Sequence, residues 1–356
     1  MKILLLSPLP PPMGGIATWT VSFLERMPSM GADVRCINIA HKMPDNDKVT
    51  RQKKSESIMI MMRAIKQVIF ECTKNRPDLI HINTSSGDGT LRDYLIELIA
   101  RKYKIPVVIH FHCNLPDQVA RSWIARLLFK KCVSLSAVNL VLNSRSCKYA
   151  ESTGNKAILL PNGIDMDEKN VLHNIREHIG SIVYTGRVEE SKGCLEILKC
   201  AEAFPNITFN LAGSIDESIS DQLRRQINIH LLGVLPHDKI DDLLTQSDLF
   251  LFPSHSEGFS ISLLEAMANG LPCIVTNVGA NEDMIEDSGG VTVGVNNHMQ
   301  IINAVNRLQD WNIRKKMSLW NQQKVVDNYC LDRVCADLLL IYKSVIKQEE
   351  KPNDSI

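Results

Sequence analysis

Short apolar runs alternate along the chain with segments of helical periodicity. In the first half, the runs at 3–6, 34–39, 79–82, 107–110 and 138–142 predict strands of a mostly parallel sheet. Pro161-Asn162-Gly163-Ile164-Asp165 breaks this rhythm, and a polar stretch follows to about Gly180. The pattern then restarts with runs at 182–185, 207–211, 229–232, 249–252 and 273–276. Helices are expected between these runs, for example over 192–203 and 238–246, and beyond them over 311–328 and 332–347. The expected fold class is α/β, with one Rossmann-like domain over 1–165 and a second over 176–330. A helix over about 331–348 is expected to pack back on the first. Ligands in such sheets collect outside the carboxyl ends of the strands, so the loops after Leu6, His110, Thr185, Leu211 and Phe252 are the places to look for chemistry.

Composition narrows the class. At 356 residues, 44% hydrophobic and 22% charged, the chain has room for about two domains with separate cores. A formal net charge of +0 speaks against a general nucleic-acid binder, which would carry a basic excess. Ten cysteines occur without a Cys-x-x-Cys pair, and the spacings Cys194 to Cys200 and Cys330 to Cys335 match no zinc pattern. They read as reduced thiols of a cytosolic protein. The opening Met1-Lys2-Ile3-Leu4-Leu5-Leu6 is halted by Pro8, Pro10, Pro11 and Pro12, so it reads as a first strand rather than a signal peptide. No apolar stretch approaches the roughly 20 residues needed to span a bilayer.

Two acids stand out against this background. Glu257 and Glu265 flank Gly-Phe-Ser-Ile-Ser-Leu-Leu just after the apolar run at 249–252. Residues 261–268 are apolar nearly all round, which predicts a buried helix with Glu265 on one stripe with Ile261, Leu264 and Ala268. A carboxylate buried there needs hydrogen-bonding partners. Ser260 and Ser262 are capping candidates, and the helix start offers backbone N–H groups to an anion. A ligand bearing both hydroxyls and phosphates would satisfy both features.

Other candidates carry less weight singly. Gly14-Gly15 after the first strand would let a phosphate approach the backbone, although paired glycines more often serve turn geometry and Gly-x-Gly-x-x-Gly is absent. Arg187, after Thr185-Gly186, and Lys192, in Ser191-Lys192-Gly193, would offset a diphosphate's charge, one as a fork and the other as a point charge. His110 and His112 end a strand two residues apart, so their imidazoles point the same way. They suit a sugar hydroxyl or a reacting centre better than a metal, for which no third ligand is evident. Asp165-Met166-Asp167 has the form of a metal-binding Asp-x-Asp but sits in the linker and is discounted. The span 118–149 holds Arg121, Arg126, Lys130, Lys131, Arg145 and Lys148 and no acid, with Trp123, Ile124, Leu127 and Leu128 at helical spacing. Arg51, Lys53, Lys54, Arg63 and Lys66 border a second helix rich in Met and Ile. Such faces dock on anionic lipid or are ordinary packing helices with solvated flanks.

Taken in order, these residues resemble the retaining glycosyltransferases of family 4. The resemblance runs through Gly14-Gly15, the segment from Pro106 to His112, Asn162-Gly163, Gly186-Arg187 and Lys192-Gly193. Its specific part is Glu257, seven residues, then Glu265-Ala266-Met267, followed by Gly270-Leu271-Pro272. Cys113-Asn114 departs from the Gly or Asp that often follows the histidine. The resemblance implies a GT-B fold, two facing Rossmann-like domains with a deep cleft between them, the acceptor on the first and a nucleotide-diphosphate sugar on the second. It implies catalytic roles for His112, with His110 as the fallback, and for Glu257, Arg187 and Lys192. Glu265 would hold the ribose hydroxyls, Arg187 and Lys192 the diphosphate, and Glu257 the donor sugar. The amides of Phe259, Ser260 and Ile261 would touch sugar or phosphate, Gly14 and Gly15 would admit the phosphate, and Gly233, Val234 and Leu235 would border the base. No metal and no cofactor are expected. A lipid-linked glycan of bacterial surface polysaccharide is the expected acceptor, with the enzyme cytoplasmic and in peripheral contact with an anionic membrane. The alternatives are a nucleotide-sugar 2-epimerase of the same architecture and a non-catalytic nucleotide-sugar-binding protein.

Overall fold

The computed structural model describes residues 1–11, 14–40, 49–85, 87–119, 123–166 and 174–350, so Arg121 and Asp167 lie outside the described residues. Two compact units divide the chain: Met1–Gly163 together with the segment from Leu331 onward, and Ile164–Cys330. The first unit runs β1 (Lys2–Ser7), α1 (Gly15–Arg26), β2 (Asp33–Asn38), α2 (Val49–Lys74), β3 (Leu79–Thr84), α3 (Thr90–Lys102) and β4 (Val107–Phe111). It continues with α4 (Leu115–Val119), α5 (Trp123–Leu135), β5 (Val138–Val141), α6 (Ser144–Ser152) and β6 (Ile158–Leu159). All six strands pair in parallel, in the order β2-β1-β3-β4-β5-β6.

The second unit runs β7 (Ser181–Thr185), α7 (Cys194–Ala203), β8 (Thr208–Ala212), α8 (Glu217–Arg224), β9 (Ile229–Gly233), α9 (His237–Thr245) and β10 (Leu249–Phe252). Then follow α10 (Ile261–Ala268), β11 (Cys273–Thr276), α11 (Asn281–Ile285), β12 (Gly290–Val293), α12 (His298–Arg307) and α13 (Trp311–Asn328). Its sheet is also parallel, ordered β12-β11-β10-β7-β8-β9. The last helix, α14 (Leu331–Glu350), belongs to the first unit.

The mixed α/β class read from the alternating runs is therefore the observed one, as two six-stranded sheets flanked by helices. Strands covered on both faces read as continuous apolar runs, and Leu249-Phe250-Leu251-Phe252 is buried at every position. Two strands escaped the sequence reading for a physical reason. β6 is two residues long with both side chains exposed, and β12 begins Gly-Val-Thr, too short and too glycine-rich to register as an apolar run.

In the first unit, alternate residues of β1 feed different cores. Leu4 and Leu6 join Ile60, Ala64 and Val68 of α2, Ile96 of α3 and Phe129 of α5. Ile3 and Leu5 join Trp19 and Phe23 of α1 and Leu338 and Tyr342 of α14. The second unit has a single cluster centred on β7, β10 and β11. Its entry segment is fastened by Arg314, fully buried, whose guanidinium donates to the carbonyls of Leu308, Arg176 and Glu177 at 2.7–2.9 Å.

Helix α3 buries two acids one turn apart, Asp93 and Glu97, at 1% and 2% exposure. Arg92 pairs with Asp93 at 2.6 Å. Burial, with Asp93 adding to it, pushes the Glu97 carboxyl up to about 9, so the folded protein keeps this proton at neutral pH. Between pH 4.5 and 9 the unfolded chain releases the proton that the folded one retains, so this carboxyl contributes stability that fades as pH rises. Glu97→Gln removes the titration. The stability difference, variant minus wild type, is expected to grow by up to about 1.4 kcal/mol per pH unit across that window. Urea unfolding at pH 6 and pH 8 measures it.

Candidate active site

In the second sheet the strand order reverses between β7 and β10, and the carboxyl ends of such a pair face a crevice. β7 delivers Thr185-Gly186-Arg187, and a 3-10 turn, Glu190–Lys192, closes on Gly193 before α7. Gly193 has φ +75°, and a Cβ there would sit 2.1 Å from the carbonyl oxygen of Pro253, the first residue after β10. The turn carrying Lys192 is thus pressed against the backbone that leads to Glu257. Lys192 Nζ lies 2.6 Å from Glu257 Oε1, with the two side chains 17% and 13% exposed. Ser254 Oγ donates to the same carboxylate oxygen at 2.8 Å, and Thr276 Oγ1 donates to the Ser254 carbonyl.

Glu257 leads directly to α10. Ser260 is the N-cap, accepting from Leu263 N at 3.1 Å. The first-turn amides of Ile261 and Ser262 lack intrahelical acceptors by the geometry of a helix start. Glu265 is half-buried, its side chain 14% exposed and its Oε1 3.7 Å from Nδ1 of His237 at the start of α9. This corrects the expected stripe. Leu264 and Ala268 are fully buried, whereas Glu265 shares the half-exposed face with Ile261, Ser262 and Asn269. The carboxylate borders the apolar core and is not enclosed by it.

The remaining donor-side candidates lie on separate loops of the two units. Arg187 is 63% exposed and pairs with Glu189 at 2.9 Å, while its carbonyl accepts from Tyr184 Oη at 2.6 Å. Among the described residues each cation has its own carboxylate, Glu189 for Arg187 and Glu257 for Lys192. Gly233 ends β9 and accepts from Gly213 N at 2.8 Å, followed by Val234 at 77% exposure and a half-buried Leu235. Phe259 packs edge-on against Tyr329. In the first unit, Gly14 and Gly15 cap and open α1, and among the described residues a Cβ at either meets no atom within 4 Å.

The first sheet reverses between β1 and β3, and a polar cluster stands at that point. His110 is fully buried, whereas His112, one residue past β4, is half-buried. Their rings lie 4.1 Å apart, with Trp19 edge-on to both. Of the two, His112 is the one partly open at the surface. Its Nε2 lies 3.0 Å from Asn83 Oδ1, which His81 Nε2 also approaches at 2.9 Å. His81 Nδ1 meets the Tyr342 hydroxyl. Burial holds His81 down to about 4, and burial together with His81 holds His112 down to about 3, so both rings are neutral at physiological pH.

His81, Asn83, Tyr342, Ser254 and His237 were not singled out from sequence. A signal existed for the first two: His81 and Asn83 alternate in an apolar strand, as His110 and His112 do at the end of the next. Three candidate types are absent among the described residues: a group of three or more potential metal ligands, a disulfide and a helix long and apolar enough to cross a membrane.

A family model described as Glycosyltransferase Family 4 matches residues 13–168, and one described as Glycosyl transferases group 1 matches 165–323. The chain is 26% identical over 286 residues to the UDP-Gal:alpha-D-GlcNAc-diphosphoundecaprenol alpha-1,3-galactosyltransferase of Escherichia coli, covering 72% of each protein. Among solved structures it resembles the sucrose-phosphate synthase of Thermosynechococcus elongatus, with TM-score 0.81 and 16% identity over 98% of this chain and 99% of that one. It also resembles Anabaena HepE in complex with UDP-glucose, with TM-score 0.73 and 17% identity over 97% and 100%. At these identities the structural likeness shows the fold.

The loops of the candidate site depend on close backbone approach. Gly213 has φ +145°, and a Cβ there would fall 1.7 Å from the carbonyl oxygen of Gly186. Gly213→Ala is expected to lose about 3 kcal/mol or more through backbone strain and overpacking. Denaturant unfolding monitored on the full chain checks this.

Proposed function

The chain belongs to the family 4 glycosyltransferases of GT-B fold, and from that premise we propose that it moves a sugar from a nucleotide-diphosphate sugar to an acceptor with retention of configuration. Glycosyl transfer itself is the activity of the family. The observation that carries the finer reading is the cluster at the β7/β10 reversal: Lys192, Glu257 and Ser254 beside the start of α10. A cation and a row of helix-start amides suit a diphosphate, and a carboxylate pair suits sugar and ribose hydroxyls. The solved likeness of HepE with UDP-glucose supports a nucleotide sugar as donor.

In this reading Glu265 binds the ribose hydroxyls, and Gly233, Val234 and Leu235 border the base. Arg187, Lys192 and the amides of Phe259, Ser260 and Ile261 stabilise the departing diphosphate, so no divalent metal is needed. Gly14 and Gly15, where no described residue would meet a Cβ, admit the phosphate. His112 hydrogen-bonds a sugar hydroxyl. The acceptor attacks the anomeric carbon on the face the phosphate leaves, and the leaving phosphate oxygen takes the acceptor's proton. Glu257, held by Lys192 and Ser254, contacts the sugar and is not a glycosidase nucleophile.

A lipid-linked acceptor in surface-polysaccharide assembly is supported by the Escherichia coli relative, whose name specifies a diphosphoundecaprenol-linked sugar. It is also supported by one side of the first unit. There α2 exposes Ile58, Met59, Met62 and Phe70, α3 exposes Leu91 and Leu98, and α5 exposes Trp123, Ile124 and Leu127. Exposed Arg126, Lys130 and Lys131 stand on the same helix as the last three, in a span without acids. Apolar side chains among cations fit an anionic bilayer surface.

Calorimetric titration with nucleotide sugars tests the donor site. Glu265→Ala and Arg187→Ala are each expected to weaken donor binding by about 10- to 100-fold, the loss of a charge-assisted hydrogen bond. Wild-type affinity in both would remove the assignment. Turnover should be undiminished in chelator and release nucleoside diphosphate; an isomerised nucleotide sugar without that release would identify a 2-epimerase. Vesicle co-sedimentation tests the docking face. Reversing Arg126, Lys130 and Lys131 to glutamate should abolish binding to anionic vesicles, and unchanged binding would discard the membrane contact.

A further inference from the structure

The polar cluster at the β1/β3 reversal has a direction that can be traced from one backbone carbonyl. Thr20 Oγ1 lies 2.7 Å from the carbonyl oxygen of Ile16, which can only accept, so the single hydroxyl hydrogen of Thr20 is committed there. In the Ser7–Thr20 contact the donor must then be Ser7. Ser7, its own hydrogen used, can only accept from the side chain of Asn83 at 2.9 Å, which fixes the Asn83 amide nitrogen toward Ser7. The Asn83 carbonyl oxygen therefore faces the two histidines, and both approach it through Nε2 at 2.9 and 3.0 Å. An amide oxygen accepts and never donates, so both rings carry their proton on Nε2. On His81 this leaves Nδ1 as a lone pair that accepts from the Tyr342 hydroxyl. Each contact from Ile16 to Tyr342 pairs a hydrogen with a lone pair in this one arrangement, and reversing any link would set two hydrogens or two lone pairs against each other.

We propose that Thr20, Ser7 and Asn83 are positioning residues that set His112 as the Nε2–H tautomer, so that its Nδ1 presents a lone pair to a sugar hydroxyl, which donates to it. The selectivity that follows is chemical: a group with a hydrogen to give, such as a hydroxyl, is accepted at Nδ1, and a group with lone pairs alone is repelled. His81 occupies the other lone pair of the Asn83 oxygen and, held at Nδ1 by Tyr342, secures the amide's orientation from the α14 side. The sugar-facing role rests on the transferase reading given above; the tautomer does not.

Long-range 15N–1H correlation spectra of the ligand-free full chain at pH 7 report which ring nitrogen is protonated. His81 and His112 should both be Nε2–H. Thr20→Val, close to isosteric, frees the Ser7 hydrogen to turn toward Asn83 and lets the amide flip. A second His112 tautomer should then appear, although the substituted side chain would touch neither ring nitrogen. Ser7→Ala, which removes the acceptor for the amide, should do the same and serves if the valine variant does not fold. An Nδ1–H signal for His112 in the wild type, or a tautomer unmoved in both variants, would overturn the proposal. A purely structural role for Thr20 would lower stability without redistributing tautomers. In turnover, Thr20→Val should lower kcat by about tenfold, the worth of one hydrogen bond to the reacting sugar, with donor KM within about twofold of wild type. Unchanged kcat in a variant whose tautomer has shifted would overturn the sugar-facing role alone. Failure of the wild type to turn over any nucleotide sugar would overturn the transferase reading and leave the tautomer result standing.

Discussion

All strands of a parallel sheet end at the same edge, and where the winding order reverses the connections to either side diverge and leave that edge open. This constraint acts twice in the chain. In the second unit it opens the ends of β7 and β10, and the residues found there are Arg187, Lys192, Ser254 and Glu257. In the first it opens the ends of β1 and β3, and the residues found there are Ser7 and Asn83, with His112 following β4 alongside. The strands behind these groups are buried along nearly their whole length. Polar side chains mounted on such strand ends have little freedom to drift, which is the condition for a site organised before its ligand arrives.

The two reversals handle buried polarity differently. At β7/β10 opposite charges neutralise each other, Lys192 against Glu257, at a depth where each is costly alone. A pair of that kind adds little net stability; its effect is to keep a lysine and a carboxylate together at the crevice without stranding either. At β1/β3 the charge is removed instead. Burial keeps His81 and His112 neutral, and specificity passes to hydrogen-bond direction, which has no strength at long range but admits only one arrangement. The first kind of site suits an anionic group and the second a hydroxyl that can give its hydrogen.

Much of the fold was legible because parallel strands covered on both faces are written as uninterrupted apolar runs, and 249–252 is the clearest of them. The cluster from Glu257 to Glu265 was legible because its acids are close in sequence to a helix start. What the sequence hid were contacts closed only by the tertiary fold. Lys192 and Glu257 are 65 residues apart, Ser7 and Asn83 are 76 apart, and His81 and Tyr342 are 261 apart. The face of Glu265 was misread because a helix apolar nearly all round has no obvious wet side. Ser262 and Asn269, the polar residues flanking Glu265 on the helix surface, mark that side once the burial is known.

Tyr342 shows why the chain must return to its first unit. Without α14, the face of the sheet carrying Ile3, Leu5, Leu79 and Val108 would lack the cover that Leu338 and Tyr342 supply. Any large apolar residue could fill that volume, but His81 stands on the same face with a buried Nδ1 that needs a hydrogen. A buried acceptor left unmet costs roughly 1–3 kcal/mol, so phenylalanine would fill the space and still destabilise the ring. Tyrosine satisfies both requirements, its ring packing in the apolar cluster and its hydroxyl ending the hydrogen-bond sequence that starts at Ile16. The same helix therefore closes the core and fixes the far end of the polar network, which couples the integrity of the His112 environment to α14.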